Sequence, residues 1–156
     1  MEKSYRLLYP MRIILVSASH EGKNNFMPAA WCFPLSFEPQ IFGVAIAKKR
    51  FTYSLIHESK EFVINIPGAD LIEKMNALGR ISGRDCDKFR EWDLTPDKSK
   101  KIGAYGIAEC LVSIECKVVK ETEIGDHVLF CGEAIHINKR REGKGIYQKE
   151  EELIEF

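Results

Sequence analysis

"AECLVSIECKVVKETEIGDHVLFCGEAIHI", residues 108–137, decides the fold. From Ala108 to Val118 every even position is apolar (Ala108, Cys110, Val112, Ile114, Cys116, Val118), while the odd positions are mixed. A period of two sends alternate side chains to opposite faces, which is the signature of a half-buried strand. Gly125-Asp126 supplies a turn, and His127–Ile137 returns as a nearly continuous apolar strand in which Gly132 marks a bulge. Two long strands joined by a tight turn pair antiparallel.

Working outward, Arg12–Ser17 reads as a strand, and Ala29–Phe37 as a second one broken by Pro34 before a Glu38-Pro39 turn. Ile41–Ala47 is a third, strongly apolar strand. "KKRFTYSLIHESK" carries Leu55, Ile56 and Ser59 at helical spacing with Thr52 as N-cap. "EFVINIP" is a strand stopped at Pro67, and "ADLIEKMNALGR" a helix ending near Gly79. Ile81–Ile102 is polar and loop-like around Phe89 and Trp92. Six or seven strands with two helices make a mainly β, antiparallel barrel or sandwich rather than a strand–helix alternation. The apolar runs at 41–47 and 128–137 imply strands covered on both faces, as when a barrel packs on a partner subunit.

Composition sets outer bounds. A chain of 156 residues is expected to form one domain, 1–156. Twenty-three Lys and Arg balance twenty-three Asp and Glu, so no global field favours nucleic acid. The Lys139–Arg141 cluster, beside Glu142, reads as a solvated turn. Five cysteines without a C-x-x-C pair, three of them in apolar runs, argue for reduced thiols in the cytoplasm and against a structural zinc or disulfide framework. "MRIILVSAS" is interrupted by Arg12 and preceded by Pro10, so it reads as a strand and not as a signal peptide. No apolar run is long enough for a membrane helix.

Four stretches are candidates for chemistry. In "AKKRFT", Lys48, Lys49, Arg50 and Thr52 stand at a helix start, where free N–H groups, a hydroxyl and cations favour a phosphate; the competing reading is an ordinary basic turn. In "SASHEGKNNFMPAAW", Gly22, Asn24 and Asn25 offer amides to a heteroaromatic edge, and Ala29 and Ala30 leave room for a flat ligand; the competing reading is a polar turn. "SGRDCDKF" presents Arg84, Lys88 and Phe89 on a loop, and "GDHVLFCGE" puts His127 at a turn–strand junction. There is no G-x-G-x-x-G after a strand, no P-loop, no metal-spaced histidine set and no evident acid/base or nucleophile set.

The order of these pieces, "SASHEGKNN", "PLSFEP", "AIAKKRFTYSLIHESKEFVINIP", "SGRDCDKF" and "LVSIECKVVKETEIGDHVLFCGEAIHI", resembles the flavin reductase-like family of FMN-binding split-barrel proteins. The resemblance runs from Pro10 to Asn138. It implies a six-stranded antiparallel split β-barrel with short helices, a homodimer, and FMN held at the subunit interface. On this chain the family's phosphate positions fall on Lys48, Arg50 and Thr52, with Tyr53 nearby. Asn25, Met27, Ala29, Ala30, Trp31 and Cys32 fall where the family meets the flavin ring and ribityl chain. Lys88 resembles a further flavin contact, and His127 the residue that approaches nicotinamide in members using NADH or NADPH. Ser17-Ala18-Ser19 replaces the paired threonines of many relatives, and Trp31 is bulkier than the residue usual there.

What the resemblance implies is an NAD(P)H-dependent oxidoreductase that passes electrons through bound flavin to free flavin, ferric iron or another acceptor. The alternatives are a flavoredoxin-like carrier reduced by an electron-carrier protein, and a non-catalytic flavin-binding module. No metal, membrane or nucleic-acid partner is expected.

Overall fold

The computed structural model describes residues 3–78 and 80–156. After a 3-10 turn at Ser4–Leu8 come β1 (Met11–Arg12), β2 (Ile14–His20), β3 (Lys23–Ala29), β4 (Cys32–Ser36) and β5 (Ile41–Ala47). Helix α1 (Phe51–Ser59) and β6 (Glu61–Ile66) follow, then a second 3-10 turn, α2 (Ile72–Leu78) and α3 (Lys88–Glu91). β7 (Pro96–Lys98), β8 (Tyr105–Ile107), β9 (Val112–Ile124), β10 (His127–Lys139), β11 (Ile146–Lys149) and β12 (Glu152–Glu155) complete the chain. The expected helix end at Gly79 lies outside the described residues.

Seven strands form one antiparallel sheet in the order β3-β2-β6-β9-β10-β5-β4; β1-β11-β12 and β7-β8 are small satellites. Helix α1 touches β2 and β3 at one end of that order and β5 near the other, so the sheet curls and α1 spans the gap. The mainly β, antiparallel architecture agrees with the sequence reading.

Inside the curl, alternate residues of each strand meet: Ile14 and Val16, Val44 and Ile46, Phe62 and Ile64, Ile114 and Cys116, Val128 and Phe130, with Leu55 and Ile56 of α1 closing the end. Each such large side chain contributes about 1.5–3 kcal/mol by leaving water. A second core lies on the outer face of β2, where Ile13 and Leu15 pack with Leu71, Met75 and Leu78 around α2, with Phe89, and with Ile107 and Ile146. Strand β2 is therefore covered on both faces within the chain. In β5 and β10 the inward positions are buried, whereas Ala45 and Leu129 are half-buried and Ile137 is exposed.

Three local expectations are corrected. The alternation starting at Ala108 precedes the strand: Ala108–Leu111 is a turn in which the Cys110 N–H donates to the Ile107 carbonyl, and β9 begins at Val112. The polar stretch after Ser17 is not a long loop. β2 and β3 form a hairpin around Glu21-Gly22 alone, both at positive φ (48° and 76°), the geometry of a tight two-residue turn. Asn24 and Asn25 thus sit on a strand. The segment 81–102 also carries α3 and β7. The carboxylate of Asp87 accepts from the Phe89 and Arg90 N–H groups and starts α3. Pro96 and the charges of β7 hid that strand, which pairs only with β8.

Gly132 does mark a bulge, with a register shift between Cys131 and Gly132. A Cβ there would stand 2.4 Å from the Phe62 ring and 2.8 Å from Cys116 Cβ, so only glycine lets β10 cross this part of the core. At Pro34, β4 is an edge strand, where a missing N–H costs no ladder bond.

Candidate functional site: a cationic cavity at the start of helix α1

Helix α1 opens with Arg50 as its N-cap in extended conformation and with no side-chain cap bond. This corrects the expectation of a Thr52 cap. Thr52 lies inside the first turn, fully buried, and its Oγ1 accepts a 2.8 Å bond from Asn25 Nδ2 of β3. The first-turn N–H groups are therefore free of any side-chain cap, and the positive end of the helix dipole faces a cavity.

That cavity has a volume of about 220 Å³ and is lined by Asn25, Met27 and Pro28, by Lys49–Thr52, by Leu78, by Arg80–Arg84 and by Lys88. Five of these residues are cations: Lys49, Arg50, Arg80, Arg84 and Lys88. No carboxylate lines the cavity, and none of the five forms an ion pair among the described residues. In a chain whose charges otherwise balance, this is a concentrated positive field.

Two buried groups give the cavity its polarity. Asn25 Oδ1 has no hydrogen-bond partner, the one buried side-chain polar atom among the described residues left so. Gly83 lies directly on it: a Cβ at Gly83 would stand 2.0 Å from that oxygen. Lys88 is only 4% exposed. Its Nζ donates to the Phe26 carbonyl at 3.0 Å and makes no other bond among the described residues, which leaves two N–H groups unused there. Burial, with Arg50 adding a smaller push, pulls the Lys88 ammonium down to about 8, while Cys86 opposes the shift. The loop is closed from outside by Arg84, whose Nη1 donates to the Lys49 carbonyl at 3.2 Å and whose guanidinium lies 5.3 Å from the Phe51 ring.

Of the residues expected from the sequence, Asn25, Met27, Arg50, Thr52 and Lys88 meet at this cavity. Lys48 does not: it pairs with Glu123 at the end of the β9–β10 hairpin, and Lys49 lines the cavity instead. Ala29 and Cys32 belong to the barrel core, and Ala30 packs against the second core. Tyr53 stacks on His57 at 5.6 Å and tilts against Phe130. Arg80 also lines the cavity and escaped the sequence reading, and Ser82 and Gly83 line it as well, inside the singled-out "SGRDCDKF" though not among the residues named there. Burial pushes the Cys32 and Cys110 thiols up to about 12 and raises Cys116 further, so none of these is a thiolate nucleophile.

His127 lies at a second corner. Its Nδ1–H donates to Asp126 Oδ1 at 2.6 Å, and this bond holds the Asp126 carboxyl below its usual range. The Trp31 ring covers the imidazole at 4.8 Å with a 33° tilt, and Tyr5 of the N-terminal turn meets Trp31 edge-on at 5.5 Å. Among the described residues no group of His, Cys, Asp and Glu is placed to hold a metal, and no helix is long and apolar enough to cross a membrane.

Comparison with known proteins now adds to this geometry. The sequence matches the flavin reductase like domain over residues 5–151. It is 45% identical over 130 residues to a protein of Archaeoglobus fulgidus, covering 83% of this chain and 73% of that one. A ferric-chelate reductase (NAD(P)H) of the same organism is 30% identical, over 86% of this chain and 78% of its own. The fold superposes on a crystal structure of an FMN-binding protein from Thermus thermophilus with a TM-score of 0.88 at 23% identity, covering 99% of this chain and 91% of the other. The chain belongs to the flavin reductase-like family.

Proposed function

We propose that the chain binds FMN and passes electrons from NADH or NADPH through the flavin to an acceptor such as free flavin or ferric iron. The observation that carries the reading is the cavity at the start of α1, with five unpaired cations, free helix N–H groups and the unpaired Asn25 Oδ1. Phosphate prefers such a corner, because dipole, hydrogen bonds and charge act in the same direction. The residues that would hold it are Lys49, Arg50 and the first turn of α1, with Lys88 and Asn25 meeting the adjoining chain. A ferric-chelate reductase (NAD(P)H) among the relatives agrees with the electron route.

Bound flavin supplies the hydride and electron chemistry; the protein positions it and tunes its surroundings. In this reading His127, oriented by Asp126, approaches the nicotinamide. Trp31 lies across that approach, and this specific contact favours a second reading, a flavoredoxin-like carrier reduced by a protein partner. Mixing the FMN-loaded protein anaerobically with NADH and with NADPH separates the two. Flavin bleaching by either nucleotide supports the reductase; its absence with both contradicts it. Trp31→Ser is expected to speed bleaching by about tenfold or more, about 1.4 kcal/mol off the barrier, by uncovering His127. An unchanged rate would mean that Trp31 does not gate the site.

We also propose a homodimer in a reducing cytoplasm. Phe33 and Leu35 on the edge strand β4, together with Phe37 at 97% exposure, form an apolar face that a second copy would cover. All five cysteines are free, as a reducing compartment keeps them. Sedimentation at micromolar concentration should give twice the 17.9 kDa chain mass, and a monomer would remove the dimer.

A further inference from the structure

The cavity at the start of α1 measures about 220 Å³, less than the roughly 300–1,000 Å³ of ordinary ligand pockets. It therefore encloses a phosphate and a short chain of carbons, not a whole flavin. Two lysines line it, and they differ: Lys49 is exposed, whereas Lys88 is only 4% exposed. Lys88 Nζ donates to the Phe26 carbonyl, one residue along β3 from Asn25, whose own side chain reaches Thr52 of α1. Amine, unpaired Asn25 Oδ1 and helix start thus converge on one small space. A buried primary amine beside an anion corner has a chemistry of its own, addition to a carbonyl.

We infer that, while no flavin is bound, Lys88 captures short phosphorylated aldehydes as a Schiff base, with their phosphate at the start of α1. The phosphate anchor is that of the flavin reading, on which the capture rests. In the step, the neutral amine adds to the aldehyde carbon and a C–N bond forms. The C–O bond then breaks, both amine protons leave with the oxygen as water, and a C=N bond remains. Nothing is oxidised or reduced. A hydroxyl beside the carbonyl would donate to Asn25 Oδ1, the acceptor left without a partner. Burial serves the step by holding Lys88 at about 8, so that near this pH about half of it is neutral, against under about 1% of an ordinary lysine.

The test incubates flavin-free protein with glyceraldehyde 3-phosphate at mildly alkaline pH, fixes the imine with cyanoborohydride and maps the lysines by peptide mass spectrometry. Lys88 should carry at least about tenfold more label than any other lysine, Lys49 included. Unphosphorylated glyceraldehyde at the same concentration should show no such preference, because it lacks the anchor. Arg50→Gln keeps the amine, removes part of the anchor, and should lower the label at Lys88 by about tenfold. Saturating FMN should protect Lys88 by about tenfold or more. Label spread evenly over the lysines, or equal labelling of Lys88 by both aldehydes, would overturn the capture; FMN uptake measured alongside would leave the flavin reading intact. Selective labelling that saturating FMN does not diminish would support the capture and remove FMN from this cavity.

Discussion

In the Lys88→Met variant, FMN affinity is expected to fall roughly 10- to 100-fold at pH 7, while the ligand-free protein becomes about 1–2 kcal/mol more stable. The two effects have one cause. Lys88 is buried with a single protein acceptor, the Phe26 carbonyl, and its pKa drops to about 8. A lysine whose folded pKa lies below its unfolded value binds fewer protons in the folded state between those values. Stability therefore rises with pH from about 8 toward 10.5, and below 8 the full cost of the buried charge is present. Methionine removes that cost but also the cation proposed to meet FMN. For the same reason wild-type FMN affinity should weaken by up to about tenfold per pH unit above 8, and the variant should show no such slope. Chemical denaturation and flavin titrations between pH 6.5 and 9.5 read both. A variant that is less stable and binds FMN like the wild type would contradict the assignment.

The second prediction contrasts two buried asparagines. Asn65 is fully buried with every polar atom engaged: Nδ2 donates to the Leu15 carbonyl at 3.0 Å and to Ser17 Oγ at 2.9 Å, and Oδ1 accepts from the Ile107 N–H and Ser113 Oγ. Asn65→Leu strands several of these partners away from water and is expected to cost about 3–5 kcal/mol, seen as a lower denaturant midpoint at an unchanged slope. Asn25 is as deeply placed, yet among the described residues its side chain makes one bond, to Thr52, and leaves Oδ1 open. Asn25→Leu should therefore stay within about 1 kcal/mol of wild-type stability while weakening FMN at least about tenfold. Equal destabilisation by the two substitutions would contradict the division between a structural amide and a binding one.

Much of the fold was legible because the barrel repeats one rule. The inward positions of β9 and β10 follow a period of two, and Pro34 and Gly132 mark the edge strand and the bulge. What escaped lies where local chemistry differs from periodicity. The alternation ran through the Ala108–Leu111 turn because Cys110 is buried by the second core, not by the barrel. The polar residues after Ser17 looked like a loop, yet on the strands Ser19 bonds Asn24 and Asn25 bonds Thr52.

The site was legible in part. Arg50, Thr52 and Lys88 stood out by type and setting, but spacing could not tell which of three successive cations turns inward. Glu123, seventy-five residues away, takes Lys48, and Lys49 is left for the cavity. Gly83 lines the cavity through its close packing on Asn25, a long-range fact absent from any local motif.

A comparison of FMN with riboflavin, by fluorescence titration of the purified protein, tests the central claim most directly. If the start of α1 anchors a phosphate, FMN binds about a hundredfold more tightly, the worth of one or two charge-assisted hydrogen bonds. Equal affinities, or no uptake of either flavin, would contradict it.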